Sequence, residues 1–242
     1  ASAGPVPGGW QHTSGRGCAD GSAVGHAGGP AVADGHRWPD FDLDVAPGGY
    51  AWWYLDAISD DGRCALVAIV FLGSVFSPYY ARARASAPMG QAEPLEHVAI
   101  NVALYGPGGK RWAMTERSQR HMHRSTRELT IGRSSLAWDA GKLQLSLDEW
   151  CLPWPERLRG SVTLHPLAPS ACGPLPPDNH WWPIAPCARV EVDLHGPQGR
   201  WQGNGYLDSN RGRRPLEQTF AHWQWSRAEL PNGGSAVGLA TT

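Results

Sequence analysis

The clearest prediction of secondary structure in this chain comes from the segment GYAWWYLDAISDDGRCALVAIVFL, residues 49–72. It holds two apolar runs, 49–58 and 63–72, separated by Ser59, Asp60, Asp61 and Gly62. An Asp-Gly pair between two such runs is a strong signal for a tight β-hairpin. The stretch therefore predicts two paired antiparallel strands.

The same pattern of short apolar or alternating runs, separated by turn residues, continues along the chain. Further strands are predicted at 98–105, 110–115, 129–131, 135–138, 142–147, 159–165, 188–194, 199–207, 219–228 and 235–240. No stretch shows a sustained helical period. The sequence therefore predicts an all-β, antiparallel fold that is barrel-like or sandwich-like.

Composition divides the chain into three parts. Residues 1–36 are rich in Gly, Ala and Ser and show no periodicity, which predicts a poorly ordered arm. The run PLAPSACGPLPP at 166–177 is too rich in proline for a central strand and is interpreted as a connection. The predicted organisation is the arm, a first β unit at 37–165 and a second β unit at 166–242.

Charge and cysteine usage narrow the class of protein. The 21 Lys and Arg balance 22 Asp and Glu, so no nucleic-acid partner is predicted. The 13 Trp residues suggest an aromatic-lined cavity or an interfacial surface as well as core packing. The five Cys are odd in number, widely spaced and without a C-x-x-C pair, which favours reduced thiols in a cytoplasmic setting.

Signals for membrane insertion and cofactors are weak. The longest apolar run, 65–73, is too short for a spanning helix, and no signal-peptide pattern is visible, so any membrane contact is expected to be peripheral. His121 and His123 have the spacing of two ligands on one strand face, but no acidic or Cys companion is near, so no metal is predicted. No phosphate-binding, dinucleotide or nucleophile-elbow motif occurs.

Three segments are unusual for their density of aromatic and polar residues. They are DNHWWPIAP at 178–186, GNGYLDSNRG at 203–212 and WQWSR at 223–227. In a strand, residues two apart share a face, which pairs His180 with Trp182, Tyr206 with Asp208, and Trp223 with Trp225.

Two interpretations of Asp208 remain open at this point. Asp-Ser-Asn is typical of a loop in which the carboxylate bonds nearby backbone amides. Alternatively, an Asp in a cavity lined by rings keeps its proton near neutrality, because burial disfavours the charged form. A neutral carboxylic acid in an apolar pocket is what protonation of an unactivated alkene requires.

Several long segments resemble one family, the carotenoid 1,2-hydratases (hydroxyneurosporene synthases). The resemblance runs from about residue 39 to 230. It is carried by APGGYAWWYLDA at 46–57, FLGSVFSPYY at 71–80, NVALYGPGGKRWAMTE at 101–116, HWWPIAP at 180–186, GYLDSN at 205–210 and WQWSR at 223–227.

The resemblance implies a lipocalin-like β fold in two units and hydration of acyclic carotenoids, of the lycopene or neurosporene type, without a cofactor. It also implies peripheral contact with a membrane, expected on the cytoplasmic side. The family's His-x-Trp and Tyr-x-Asp pairs fall on His180, Trp182, Tyr206 and Asp208, which are the predicted catalytic residues. Aromatic residues of the same motifs are predicted to bind substrate: Trp53, Tyr54, Trp181, Trp223 and Trp225.

The resemblance also shows two departures. Arg213 and Arg214 stand where the family pattern has an acidic pair, and the family usually extends beyond residue 242.

Two other functions fit the same sequence. A non-catalytic lipocalin-like carrier would hold a hydrophobic ligand without changing it. A lipocalin-like polyene cyclase would use the same apolar cavity but leave the mass of its product unchanged. The sequence leaves the oligomeric state open.

Overall fold

The computed structural model describes residues 11–14, 39–168, 179–196, 199–230 and 235–241 of the 242-residue chain. Within them the strands, in chain order, are β1 (Gln11–Ser14), β2 (Tyr50–Ser59), β3 (Ala65–Leu72), β4 (Val98–Tyr105), β5 (Arg111–Arg117), β6 (Met122–Arg124), β7 (Glu128–Ile131), β8 (Ser134–Asp139), β9 (Lys142–Trp150), β10 (Arg157–Ala168), β11 (Asn179–Leu194), β12 (Arg200–Gly212), β13 (Trp223–Glu229) and β14 (Ser235–Thr241). The helices are α1 (Pro78–Ser86) and α2 (Leu216–Thr219), with 3-10 turns at Pro88–Gly90, Pro94–His97 and Gln119–His121.

The strands form one large sheet and one small sheet. The large sheet has eleven antiparallel strands in the order β5-β4-β3-β2-β12-β11-β10-β9-β8-β7-β6, and the small sheet has the order β1-β14-β13. Contacts between β5 and β9 bring the large sheet close to closure as a barrel. The predicted all-β, antiparallel, lipocalin-like class is confirmed.

Burial explains why some strands have continuous apolar sequences and others have alternating ones. β2 is buried along nearly its whole length on both faces, since one face packs in the barrel core and the other lies under other elements. Strands covered on both faces read as continuous apolar runs, as residues 49–58 do. β9 alternates between buried and more exposed residues because only one of its faces meets the core.

The small sheet lies over the outer face of the large one. Val237 of β14 and Trp225 of β13 pack against Trp181 of β11 and against Tyr54 and Tyr206, which are neighbours on β2 and β12. Trp181, Tyr206 and Val237 are therefore buried between the two sheets, whereas Tyr54 and Trp225 are partly buried there. This layer contains the candidate site.

Strands from both predicted units share the eleven-stranded sheet. The predicted boundary at 165/166 lies inside β10, where Pro166 is opposite Ala188 and the register shifts before Ala168. Within the predicted arm, Gln11–Ser14 form a strand paired with β14. The remainder of residues 1–36, and residues 169–178 of the proline-rich run, lie outside the described residues.

Helix α1 is an element that the sequence did not predict. Ser77 caps it, accepting hydrogen bonds from the backbone N–H groups of Tyr79 and Tyr80, and Pro78 occupies the first turn. The helix has only nine residues and no amphipathic stripe, so hydrophobic periodicity could not show it. Among the described residues, no helix has the length and apolar character needed to cross a bilayer.

Candidate active site

Asp208 lies in the middle of β12, between the two sheets. Its side chain is buried, with 4% exposure. Its Oδ2 atom accepts hydrogen bonds from the hydroxyl of Tyr206 at 2.8 Å and from the indole Nε1 of Trp181 at 2.9 Å. The loop interpretation of Asp208 is therefore wrong, because β12 continues to Gly212 and the donors are side chains rather than backbone amides.

The second carboxyl oxygen of Asp208 is placed differently. Oδ1 is buried and accepts no hydrogen bond from any residue in the described part of the chain. A buried carboxylate with an unpaired oxygen is costly, whereas a protonated carboxyl can carry its hydrogen there. The geometry therefore favours the neutral acid, with the proton on Oδ1.

Electrostatics agree with this geometry. Burial raises the pKa of Asp208 to about 7, against the lowering effect of the hydrogen bonds from Trp181 and Tyr206, and the nearby charge of Asp56 raises it further. Burial likewise holds the pKa of the Tyr206 phenol well above its usual range, so Tyr206 stays a donor. Asp208 is thus an acid that can exchange its proton near neutrality.

Aromatic rings surround the acid. The ring of Tyr54, the cross-strand partner of Asp208, lies 6.1 Å from the ring of Tyr206. The indole of Trp225 lies 5.2 Å from both tyrosine rings. Such ring faces attract a cation through their quadrupoles.

A buried ion pair lies on the face of the large sheet that carries Asp208. The Nη2 atom of Arg227 donates to Oδ1 of Asp56 at 2.6 Å, with side-chain exposures of 9% and 12%. Asp56 is opposite Tyr206 in the β2–β12 register and is therefore a diagonal neighbour of Asp208. The site combines one acid with a raised pKa and one carboxylate held by a guanidinium.

A groove of about 520 Å³ opens beside this cluster. Its lining includes Tyr54, Asp56, Ile58, Leu66, Trp225 and Arg227. Asp208 is not on the groove wall, but Tyr54 and Trp225 belong to both the groove and the surroundings of Tyr206. The volume falls in the range of small-ligand sites.

The four predicted catalytic residues, His180, Trp182, Tyr206 and Asp208, do not all lie on one face of the sheet. In the β11–β12 register Trp181 is opposite Asn210 and Trp182 opposite Ser209, so Trp181 shares the face of Asp208 and Trp182 does not. Trp182 packs in the barrel core with Leu207, and alternation places His180 on that same face. The alternation of side chains shows which residues of one strand share a face. It does not show which faces of two neighbouring strands coincide, because that depends on their pairing register.

The predicted substrate-binding residues do not all lie at the site. Trp53 is a core residue, whose Nε1 donates to the Pro39 carbonyl at 2.9 Å and whose ring meets Phe41 edge-on at 5.0 Å. Tyr54, Trp181 and Trp225 lie at the site. Trp223 is 45% exposed at the beginning of β13.

Sequence reasoning did not single out Asp56 and Arg227. A signal was present in each case. Asp56 is an acidic residue inside an apolar strand, and such residues are rarely buried unless paired. Arg227 follows Trp225 at the two-residue spacing of one strand face, which places its guanidinium beside the aromatic cluster.

The two histidines considered as metal ligands do not lie on one strand. His121 is in a 3-10 turn and His123 is in β6, so strand alternation does not set their relative directions. No group of three or more His, Cys, Asp or Glu that could hold a metal ion occurs among the described residues. Cys64, Cys151 and Cys187 form no disulfide within the described residues, and Cys18 and Cys172 lie outside them.

Fold and site together define an all-β, lipocalin-like protein with a buried carboxylic acid between its two sheets. A crystal structure of a candidate AttH protein from Nitrosomonas europaea shares the fold, with a TM-score of 0.56 at 15% identity, over 87% of this chain and 66% of that one.

The family model described as carotenoid hydratase CrtC matches residues 68–241. The chain belongs to this carotenoid hydratase family.

Relatives with named activities agree with this assignment. The chain is 50% identical, over 96% of its length, to an acyclic carotenoid 1,2-hydratase from Thiocapsa roseopersicina, and covers 56% of that protein. The chain is also 48% identical, over 82% of its own length, to the acyclic carotenoid 1,2-hydratase from Rubrivivax gelatinosus, and covers 50% of that protein. The chain thus spans about half the length of these curated relatives.

Proposed function

We propose that this protein hydrates the terminal C1=C2 double bond of acyclic carotenoids, giving 1-hydroxy carotenoids without a cofactor. Family membership supports the reaction class. The observation that carries the chemistry is Asp208, a buried acid with a pKa of about 7 and an unpaired Oδ1. The substrate end would enter the groove and pass Tyr54 and Trp225, the two rings shared with the surroundings of Tyr206.

The proposed reaction begins with proton transfer. Asp208 gives its proton to C2, the π electrons form the new C–H bond, and a tertiary cation develops at C1. Tyr54, Tyr206 and Trp225 present their rings to this cation, each contributing roughly 0.5–2 kcal/mol. The carboxylate left on Asp208 stabilises the cation further in a site of low dielectric, while Tyr206 and Trp181 hold its Oδ2.

Water then attacks C1, and the proton it releases restores Asp208. His180, one of the predicted catalytic residues, lies on the other face of the sheet from Asp208 and is assigned no part in this proton transfer. The mechanism proposed here therefore relies on groups between the two sheets.

Product mass distinguishes this function from the two alternatives. Purified protein incubated with detergent-dispersed lycopene should yield a product heavier by the mass of one water. A carrier would return unchanged lycopene bound to protein, and a cyclase would give a product of unchanged mass with an altered absorption spectrum. Either of these results would contradict the hydratase proposal.

We also propose that the protein meets a membrane through one rim of the barrel. Strand registers place the 59–65, 105–111, 150–157 and 194–200 connections at the same end of the large sheet. This rim exposes large apolar side chains, of which Trp154 at 80% is the most exposed. Its members, called the aromatic rim below, are Ile58, Tyr105, Trp112, Trp150, Leu152 and Trp154.

Charge and position favour lipid as the occupant of the aromatic rim. Lys110 lies 5.8 Å from the Tyr105 ring, where its charge can meet anionic head groups. Tryptophan is enriched where proteins meet the membrane interface. The groove reaches the same end of the barrel through Ile58 and Tyr105. The cytoplasmic side stays a prediction.

Vesicle binding tests this contact. Replacing Leu152 and Trp154 by Ser should weaken co-sedimentation with phosphatidylglycerol–phosphatidylcholine vesicles at least about tenfold, because each large apolar side chain contributes about 1.5–3 kcal/mol when buried. Trp223→Ser, which removes a half-exposed tryptophan outside the rim, is the matched control. Equal binding by the double variant and the wild type would exclude the rim as the contact.

A further inference from the structure

The Asp56–Arg227 ion pair has no role in proton donation to the substrate. Both side chains are about nine-tenths buried, yet both line the groove. Removing an ion pair from water is costly, and a well-packed apolar pair would serve stability as well or better. A buried ion pair beside an acid therefore points to a chemical use.

The geometry relates this pair to Asp208. Asp56 and Asp208 are diagonal neighbours on one face of β2 and β12, a relation that separates backbone positions by about 7–8 Å. Tyr206 donates to Asp208, and the Tyr54 hydroxyl is hydrogen-bonded to Asp56.

The two carboxyl groups have different environments. The guanidinium of Arg227 compensates the negative charge of Asp56 at 2.6 Å, while the hydrogen-bond donors of Asp208 are the neutral Tyr206 and Trp181. Two titratable groups placed in such different surroundings divide into an acid and a base. Asp208 has the surroundings of the acid, and Asp56 has those of the base.

We propose that Asp56, held as a carboxylate by Arg227, positions the attacking water at the groove and accepts its proton. This inference rests on the proposed hydration. The water oxygen forms the new bond to C1, one of its O–H bonds breaks, and that proton passes to Asp56. Transfer of the proton from Asp56 to the Asp208 carboxylate, through the intervening tyrosine hydroxyls or water, then returns both groups to their starting states.

The positioning of water decides the fate of the cation. A tertiary cation without a held water loses a proton again and regenerates an alkene. Because Asp208 would still donate, the substrate would then exchange hydrogen with the solvent without being hydrated. The ratio of hydrated product to exchanged alkene therefore reports on Asp56 separately from Asp208.

The experiment measures this ratio in D₂O. Wild-type protein and Asp56→Asn are incubated with lycopene, and mass spectrometry at early times quantifies hydrated product and deuterium-labelled lycopene. We expect Asp56→Asn to lower the ratio of hydrated to labelled material at least tenfold. Arg227→Met should act in the same direction, since the buried Asp56 would then take up a proton and lose its capacity to accept another.

The ratio does not depend on the fraction of folded protein, so partial loss of stability leaves it interpretable. Asp193→Asn, which breaks an exposed Asp–Arg pair with Arg200 at 2.8 Å, is the matched control and should keep the wild-type ratio. An unchanged ratio in Asp56→Asn, or loss of exchange together with hydration, overturns the role of Asp56. A wild-type protein that gives neither product instead overturns the proposed hydration.

Discussion

Replacing Asp208 by Asn is expected to lower the rate of carotenoid hydration by about 10²–10⁴-fold, the usual contribution of a positioned general acid. Asn has nearly the same shape, and its carbonyl oxygen can still accept from Tyr206 and Trp181. It has no proton acidic enough to protonate an alkene. The measurement is the initial rate of 1-hydroxy product formation, with circular dichroism to show that the variant is folded.

The control for this variant is Asp139→Asn, which makes the same chemical change at the exposed last residue of β8, before the turn to β9. It should hydrate lycopene at the wild-type rate. If Asp208→Asn also does so, Asp208 is not the proton donor, and the mechanism proposed here is wrong at its first step.

The same substitution should make the protein more stable at alkaline pH. In the folded protein Asp208 keeps its proton up to a pKa of about 7, whereas the unfolded chain releases it near 3.8. Between these values the unfolded state binds fewer protons, so the free energy of unfolding falls as pH rises. This difference in pKa lowers the free energy of unfolding of the wild type by about 4 kcal/mol above pH 7, and the Asn variant does not undergo this loss.

Chemical denaturation at several pH values measures this effect. The free energy of unfolding of Asp208→Asn minus that of the wild type should be small at pH 4, rise between pH 4 and pH 7, and stay level above pH 7. The corresponding difference for Asp139→Asn should show no such rise. A pH-independent difference for Asp208→Asn would mean that the folded protein holds Asp208 ionised.

The two predictions are linked by one physical cause. Burial between the sheets keeps the acid protonated, which supplies the proton for an alkene, and the same burial lowers stability once the proton is lost. A loss of stability of this kind is common where function requires a group in an unfavourable environment. The hydrogen bonds from Trp181 and Tyr206 favour the ionised form of Asp208 and therefore offset part of this cost.

Much of the fold is determined locally. The hairpin at residues 49–72 follows from an Asp-Gly turn between apolar runs, and Gly62 indeed has a positive φ of 68°. Alternation at 142–147 predicted a strand with one solvent face, as β9 has. Helix α1 escaped prediction because its cap, Ser77, and its first residue, Pro78, are its main local signals.

Local sequence patterns are enough to predict the class of fold and to place Asp208 and Tyr206 on one strand face, because strand alternation and turn chemistry act over a few residues. The family is predicted from the long segments that resemble it. Only the tertiary structure decided that Trp181 rather than Trp182 contacts Asp208, because the phase between β11 and β12 depends on their register. It also decided that Arg227, 171 residues from Asp56 in the chain, is the partner of that carboxylate. Such contacts arise from the packing of one sheet on another, and no local pattern encodes them.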